Sequence, residues 1–145
     1  MPVDLARQSL AEQLRKTGFK ADAATFFSWL GSTQYLGTEI VLATLRLIAS
    51  LGSANGVVFD YGVPRSSLDA RNKAAFDILA RRVRAAGEPF LGFFHPNELA
   101  RKFKDMGFHY IEDLGADQIN SRYFKDRKDG LRVGGQLARL MCAWS

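Results

Sequence analysis

Residues 24–61 read ATFFSWLGSTQYLGTEIVLATLRLIASLGSANGVVFDY, and this stretch decides the fold. Its two ends, 24–31 (ATFFSWLG) and 56–61 (GVVFDY), are short and nearly continuously apolar, the pattern of strands covered on both faces. Between them, Ile40, Val41, Leu45, Ile48 and Leu51 recur at helical spacing. They predict a helix that follows Thr38, carries Glu39 in its first turn and stops before Gly52. Strand, helix and strand with buried strands predict an α/β fold: a parallel sheet with helices on both faces. Ligands of such sheets sit beyond the carboxyl ends of the strands, which here are residues 30–36 and 60–63.

Working outward, Asp4 is placed to cap a helix over residues 5–17, with Leu10 and Leu14 on its apolar face and Gly18 at its end. Downstream, a long helix is expected over 68–86, stopped by Gly87, and Pro96 opens another that Gly107 closes. Residues 108–114 (FHYIEDL) read as a strand, 116–123 as a short helix and 136–144 as the last strand. The long charged connection between the last two strands permits an antiparallel end strand.

The chain has 145 residues, 47% of them hydrophobic, enough to fill the core of one domain. Its one cysteine, Cys142, excludes an internal disulfide framework and any multi-cysteine zinc site, so a cytoplasmic chain without metal is expected. Asp4 and Glu12 interrupt the apolar positions of the first segment, which argues against a signal peptide. No apolar run approaches the ~18 residues of a membrane span, so no membrane partner is expected. Residues 1–64 hold five basic and five acidic side chains, and residues 65–145 hold fifteen and ten, so the net charge of +5 lies in the second part. That charge can steer an anionic ligand. Lys125, Arg127 and Lys128 nevertheless alternate with Asp126 and Asp129, and no aromatic-rich basic strand accompanies them, which argues against nucleic acid.

Phosphate-loop, G-x-G-x-x-G, H-E-x-x-H and G-x-S-x-G patterns are all absent. Of the two histidines, His95 precedes a Pro-started helix and suits a capping or surface role, and His109 falls in an apolar strand pattern. Cys142 sits in the last apolar run, where an inert thiol is the simpler reading.

Five segments in fixed order carry more information: PVDLARQSLAEQL (2–14), FFSWLGSTQYL (26–36), VVFDYGVP (57–64), EPFLGFFHPNELARKFKDMGF (88–108) and EDLGADQINSRYFKDRKDGLR (112–132). Together they resemble the later part of the leucine carboxyl methyltransferase family and its bacterial relatives, which are class I S-adenosylmethionine-dependent O-methyltransferases. The resemblance implies that Asp4 and Leu5 address the adenine of S-adenosylmethionine, the carboxylate accepting from the exocyclic amine. It also implies that Leu30, Gly31 and Tyr35 line the cleft after the next strand. Many relatives carry Glu where this chain has Leu30, which removes one polar anchor.

Methyl transfer from a sulfonium is an in-line displacement, so positioning and exclusion of water dominate. A carboxylate acceptor is already ionised and needs only a cation to orient it. Arg122 is the candidate, with Tyr123 as a pocket wall. A hydroxyl acceptor wants a base, for which His109 is the available type.

The family's Gly-rich turn and the acidic residue after its second strand have no counterpart in the chain. The resemblance therefore implies that residues 1–145 are the C-terminal portion of a class I methyltransferase domain. They would form a partial Rossmann-like fold, the later half, with an antiparallel end strand. The isolated chain would be inactive, and its expected partners are a small-molecule or carboxylate acceptor and either the missing N-terminal half or a second copy. Two further readings stay open: a non-catalytic remnant that self-associates or binds a partner, and a basic nucleic-acid-binding module.

Overall fold

The computed structural model describes residues 3–5, 7–52 and 54–145. Met1 and Pro2 of the first motif, Ala6 inside the expected first helix, and Ser53 lie outside the described residues.

The two strands of the decisive stretch are β1 (Thr25–Trp29) and β2 (Asn55–Gly62), and they pair in parallel with Phe27 opposite Val57 and Trp29 opposite Phe59. Between them α2 (Thr38–Ser50) buries Val41, Leu42, Leu45 and Ile48. Thr44 is buried with them, its hydroxyl donating to the Ile40 carbonyl at 2.9 Å. The helix before this unit, α1 (Leu10–Lys16), is shorter than the expected 5–17. Its cap is Ser9, whose hydroxyl accepts from the Glu12 amide, while Asp4 heads a separate turn by accepting the Arg7 and Gln8 amides on its carbonyl.

After β2 come α3 (Ala70–Ala85), capped by the Asp69 carboxylate, and α4 (Pro96–Asp105), which starts with proline. Then follow β3 (Tyr110–Leu114), α5 (Ala116–Ile119) with a π-type turn over Asn120–Phe124, and β4 (Ala138–Trp144). His109 lies one residue before β3 and is exposed, outside the strand in which the sequence pattern placed it.

The sheet order is β1-β2-β4-β3. β4 runs antiparallel to both neighbours. It is the last strand of the chain yet not the end of the sheet: β3 takes the edge, and the central place lets Met141 and Ala143 be wholly buried.

The register sorts side chains into two faces. On one, Trp29, Phe59, Met141 and Asp113 form a row across all four strands. Phe59 stacks there on Phe103 of α4 at 5.6 Å between ring centroids, and Phe103 meets Phe108 at 4.8 Å. On the other face, the row Phe26, Gly56, Trp144 and Tyr110 has its three aromatic side chains exposed. β1 is therefore covered on one side only, contrary to the reading of its apolar run. Phe26 obtains its contact from the Trp144 ring, 5.0 Å away across Gly56, instead of from a helix. A Cβ on Gly56 would strike both rings.

Candidate functional site

The carboxyl ends of β1, β2 and β3 and the amino end of β4 share one edge of the sheet. At that edge the chain leaves β1 through Gly31, whose φ of +78° suits glycine. The Gly31 amide donates to Asp60 Oδ1 at 2.6 Å, and the Thr33 hydroxyl donates to the Asp60 carbonyl. Both bonds tie the 30–36 loop to the end of β2. The segment 90–94 then docks on that loop: the Leu91 and Gly92 amides donate to the Gln34 carbonyl at 2.8 and 3.2 Å, and the Phe94 amide to the Gly62 carbonyl at 2.9 Å. Gly92 is needed for this approach, because a Cβ there would collide with the Leu36 carbonyl oxygen.

Two cavities open on this edge. The smaller, about 120 Å³, lies among Phe76, Phe90, Phe93 and Leu137, with Asp60 and Gln34 at its rim. The larger, about 740 Å³, is polar, and Arg71, Asn72, Arg132 and Gln136 contribute to its wall. Ala138 lines both. The Asn72 amide oxygen accepts from the Gln136 amide at 3.1 Å, fixing the loop before β4 against α3. Behind the larger cavity Asp113 receives Arg139 Nε at 3.0 Å and the Tyr61 hydroxyl at 3.1 Å. Burial, followed by the Asp113 charge, pushes the Tyr61 hydroxyl well above its ordinary ionisation range.

A sequence model of the leucine carboxyl methyltransferase family matches residues 1–49. Over 132 residues the chain is 27% identical to the putative S-adenosyl-L-methionine-dependent methyltransferase YktD of Bacillus subtilis (strain 168), a match covering 90% of this chain and 43% of that protein. Both matches bear out the resemblance to leucine carboxyl methyltransferases. A possible exported protein from Bordetella parapertussis has a similar solved structure, with a TM-score of 0.54 over 87% of this chain and 41% of that one. At 13% identity that likeness shows the fold alone. The chain thus spans less than half the length of both proteins. The mixed α/β sheet is consistent with a methyltransferase-like fold.

The residues that the methyltransferase resemblance singles out fall in three places. Leu5, with Val3, helps line an apolar cavity of about 210 Å³ beside Phe27, Trp29 and Ile48, and Asp4 sits in the turn just before. Leu30, Gly31 and Tyr35 are in the loop after β1, where Leu30 is exposed and Tyr35 packs on Phe90 at 5.5 Å between centroids. Arg122, Tyr123 and His109 are elsewhere. Both Arg122 terminal nitrogens donate to Glu112 at 2.7 Å, and Glu112 shares the open-face row with Cys142, Val58 and Ser28. The hydrogen bonds from Arg122 hold the Glu112 carboxyl below the usual carboxylate range. Tyr123 is exposed, its ring centroid 5.9 Å from the Arg122 guanidinium. The His109 amide donates to the Trp144 carbonyl at the amino edge of the sheet.

The structure joins Leu30–Tyr35 to the Asp60 end of β2, but the cavity that Leu5 lines takes in no residue of that loop, and the one that Gln34 lines does not reach Asp4 or Leu5. For S-adenosylmethionine these residues fit as parts of a wall, not as an enclosed pocket. The sequence reading placed 60–63 at a strand end where ligands sit but gave Asp60 no role, although a carboxylate near the end of the run VVFDY was visible as a polar residue at a buried strand end. Arg71 and Arg132 gave no such signal, being two among twenty basic residues. His95, the other histidine, is exposed, with Nδ1 3.1 Å from the Ser67 hydroxyl. Burial pushes the Cys142 thiol up, as expected of an inert side chain. Among the described residues no group of three or more His, Cys, Asp or Glu is placed to hold a metal ion, and no helix is long and apolar enough to cross a membrane.

Proposed function

We propose that the chain serves S-adenosylmethionine-dependent O-methyl transfer as the later, C-terminal portion of a Rossmann-like class I domain. Its acceptor would be a small molecule bearing a carboxylate or hydroxyl. The observation that carries this reading is the family match over residues 1–49, which takes in both Asp4–Leu5 and the 30–35 loop. The bound cofactor would supply a sulfonium methyl group for displacement; the chain's own residues position and shield.

In this reading Asp4 accepts from the adenine amine, the Leu5 amide addresses a ring nitrogen, and Leu30, Gly31 and Tyr35 form the wall after β1. Arg122 orients a carboxylate acceptor with Tyr123 beside it, a role that requires its paired bonds to Glu112 to open. A hydroxyl acceptor needs a base. His109 is the candidate by residue type, and Asp60 is the carboxylate that the fold puts at a cavity.

Titrating the ¹⁵N-labelled chain with S-adenosylhomocysteine tests the assignment. Weak binding with amide shifts confined to residues 3–5 and 30–36 is expected, and saturation without shifts in either segment would overturn it. Calorimetry showing tight, stoichiometric binding by this chain alone would overturn the claim that it supplies only part of the cofactor site.

A second reading, a self-associating or partner-binding module without catalysis, is favoured by the exposed Phe26, Trp144 and Tyr110 on the open sheet face. Phe26 stands on β1, whose outer edge pairs with no strand among the described residues, and Tyr110 on β3 at the opposite edge of the sheet. It expects a dimer or larger species in light scattering, and a stable monomer removes self-association.

A further inference from the structure

We propose that the two adjoining cavities at the carboxyl edge are one binding site for an amphipathic anion. A ring or short branched hydrocarbon body would sit among Phe76, Phe90 and Phe93, and a carboxylate or phosphate head would be held by Arg71 and Arg132. Four observations converge on this class of ligand.

The smaller cavity, about 120 Å³, is walled by aromatic rings and is of the order of the ~150 Å³ apolar cavity that takes one benzene ring. Phe93 meets Phe76 at 5.5 Å and Phe90 at 6.3 Å between centroids, so the rings brace one another and the space is preformed.

The larger cavity is polar and has a surplus of cations. Arg71 comes from the first turn of α3 and Arg132 from the loop before β4, far apart in the chain yet on one cavity wall. Neither makes an ion pair among the described residues, whereas Arg139 of the same lining is paired with Asp113 at 3.0 Å. Asp117 is the one carboxylate among the lining residues. Asp69, next to Arg71, is occupied as the α3 cap, accepting the Asn72 amide at 2.8 Å and the Asn72 side chain at 3.0 Å. Two guanidinium forks outside any ion pair among the described residues, that of Arg71 sharing only the field of the Asp69 carboxylate, suit a planar or tetrahedral oxyanion.

The cavities adjoin: Ala138 lines both, and its neighbours Gln136 and Leu137 line the larger and the smaller one respectively. Asp60, at the rim of the aromatic cavity, fixes the orientation: its carboxylate repels a second anion, so the head points to the arginines and a neutral end faces the 30–36 loop. This binding goes beyond the methyl-transfer reading without resting on it, and it is tested without cofactor.

The test titrates the chain with 3-phenylpropionate, 2-phenylethyl phosphate and the neutral isostere 3-phenylpropanamide, followed by ¹H–¹⁵N spectra. Low-millimolar binding of both anions is expected, as ligand size allows, with shifts at residues 90–93 and 132–136. The amide should bind at least about fivefold more weakly. The tighter of the two anions identifies the head group as carboxylate or phosphate. Arg132→Gln and Arg71→Gln, both at exposed positions, should each weaken the anions about five- to tenfold and leave the amide unchanged. Equal binding of amide and anions, no saturable binding, shifts confined to other surfaces, or unchanged affinity in both folded variants would each overturn the inference. Anion binding together with S-adenosylhomocysteine saturation that shifts neither residues 3–5 nor 30–36 would leave the site standing and refute the transfer reading.

Discussion

Replacing Asp113 by alanine removes the acceptor on which two other side chains depend. The Tyr61 hydroxyl donates to both carboxylate oxygens at 3.1 Å, and Arg139 Nε lies 3.0 Å from Oδ2. Tyr61 is 1% exposed, so without Asp113 its hydroxyl loses its partner and cannot reach water, which costs about 1–3 kcal/mol. Arg139 retains 28% side-chain exposure and can turn to solvent, so it adds at most about 1 kcal/mol. We expect Asp113→Ala to lower stability by about 2–3 kcal/mol and Tyr61→Phe by about 1 kcal/mol. The double variant should be no worse than Asp113→Ala, because the stranded hydroxyl is gone, leaving a coupling of about 1 kcal/mol. Urea unfolding of the four proteins at pH 7 measures it. Additivity within about 0.5 kcal/mol would refute the claim that the hydroxyl and the carboxylate act as a pair. The pH dependence gives a second check. The Tyr61 hydroxyl ionises well above its ordinary value of 10.0, raised first by burial and then by the Asp113 charge. A folded-state value above the unfolded one means that this contribution is complete below pH ~10 and is lost as pH rises beyond it. Tyr61→Phe should flatten that alkaline decline.

Gly92→Ala should destabilise by about 1–3 kcal/mol, since the added Cβ meets the Leu36 backbone oxygen, which cannot rotate away. Its urea midpoint reports the cost, and the same variant should lose 3-phenylpropionate binding because Phe90 and Phe93, on either side of it in the chain, wall the aromatic cavity. Phe103→Ala, at a wholly buried ring between Phe59 and Phe108, should cost about 3–5 kcal/mol in the same assay. For Glu112, the Arg122 hydrogen bonds place the folded-state value below the unfolded one, so its contribution holds above the ordinary carboxylate range and fades as pH falls through the folded value. Glu112→Gln should lack that acid-side decline in melting temperature, a small difference that ~1 M salt diminishes because the pair is exposed to solvent.

The strands and helices of residues 24–61 were legible because each has one dominant pattern: ATFFSWLG and GVVFDY for β1 and β2, and the 40–51 stripe for α2. What failed to show was which side of β1 is covered. Phe26 and Phe27 are chemically alike, and only the register, Phe26 with Gly56 and Phe27 with Val57, assigns one to the open face and the other to the core. The start of α1 was misjudged for a related reason. Asp4 and Ser9 are both good caps, and the choice went to Ser9, whose hydroxyl meets the Glu12 amide, while Asp4 closes its own turn. The place of β4 was hidden because an antiparallel strand can pair at an edge or insert between two others, and local sequence does not distinguish these.

The site followed the same rule. Loop positions after a strand were readable from the strand itself, which is how the 30–36 and 60–63 ends came into view, while Leu30, Gly31 and Tyr35 were picked out within the first by the family resemblance. Partners that converge from distant segments were not. Arg122 looked available because its carboxylate, Glu112, lies on another element and only the fold brings them together. Arg71 and Arg132 went unremarked because their shared cavity forms only when the Asn72 amide oxygen fixes the Gln136 loop against α3. A charge is informative when the fold leaves it outside any ion pair beside a cavity, and by that criterion the basic surplus of residues 65–145 has a local use. Arg127 is paired with Asp129, Arg65 with Asp77 and Arg139 with Asp113, whereas Arg71 and Arg132 face a polar cleft that an anion can enter.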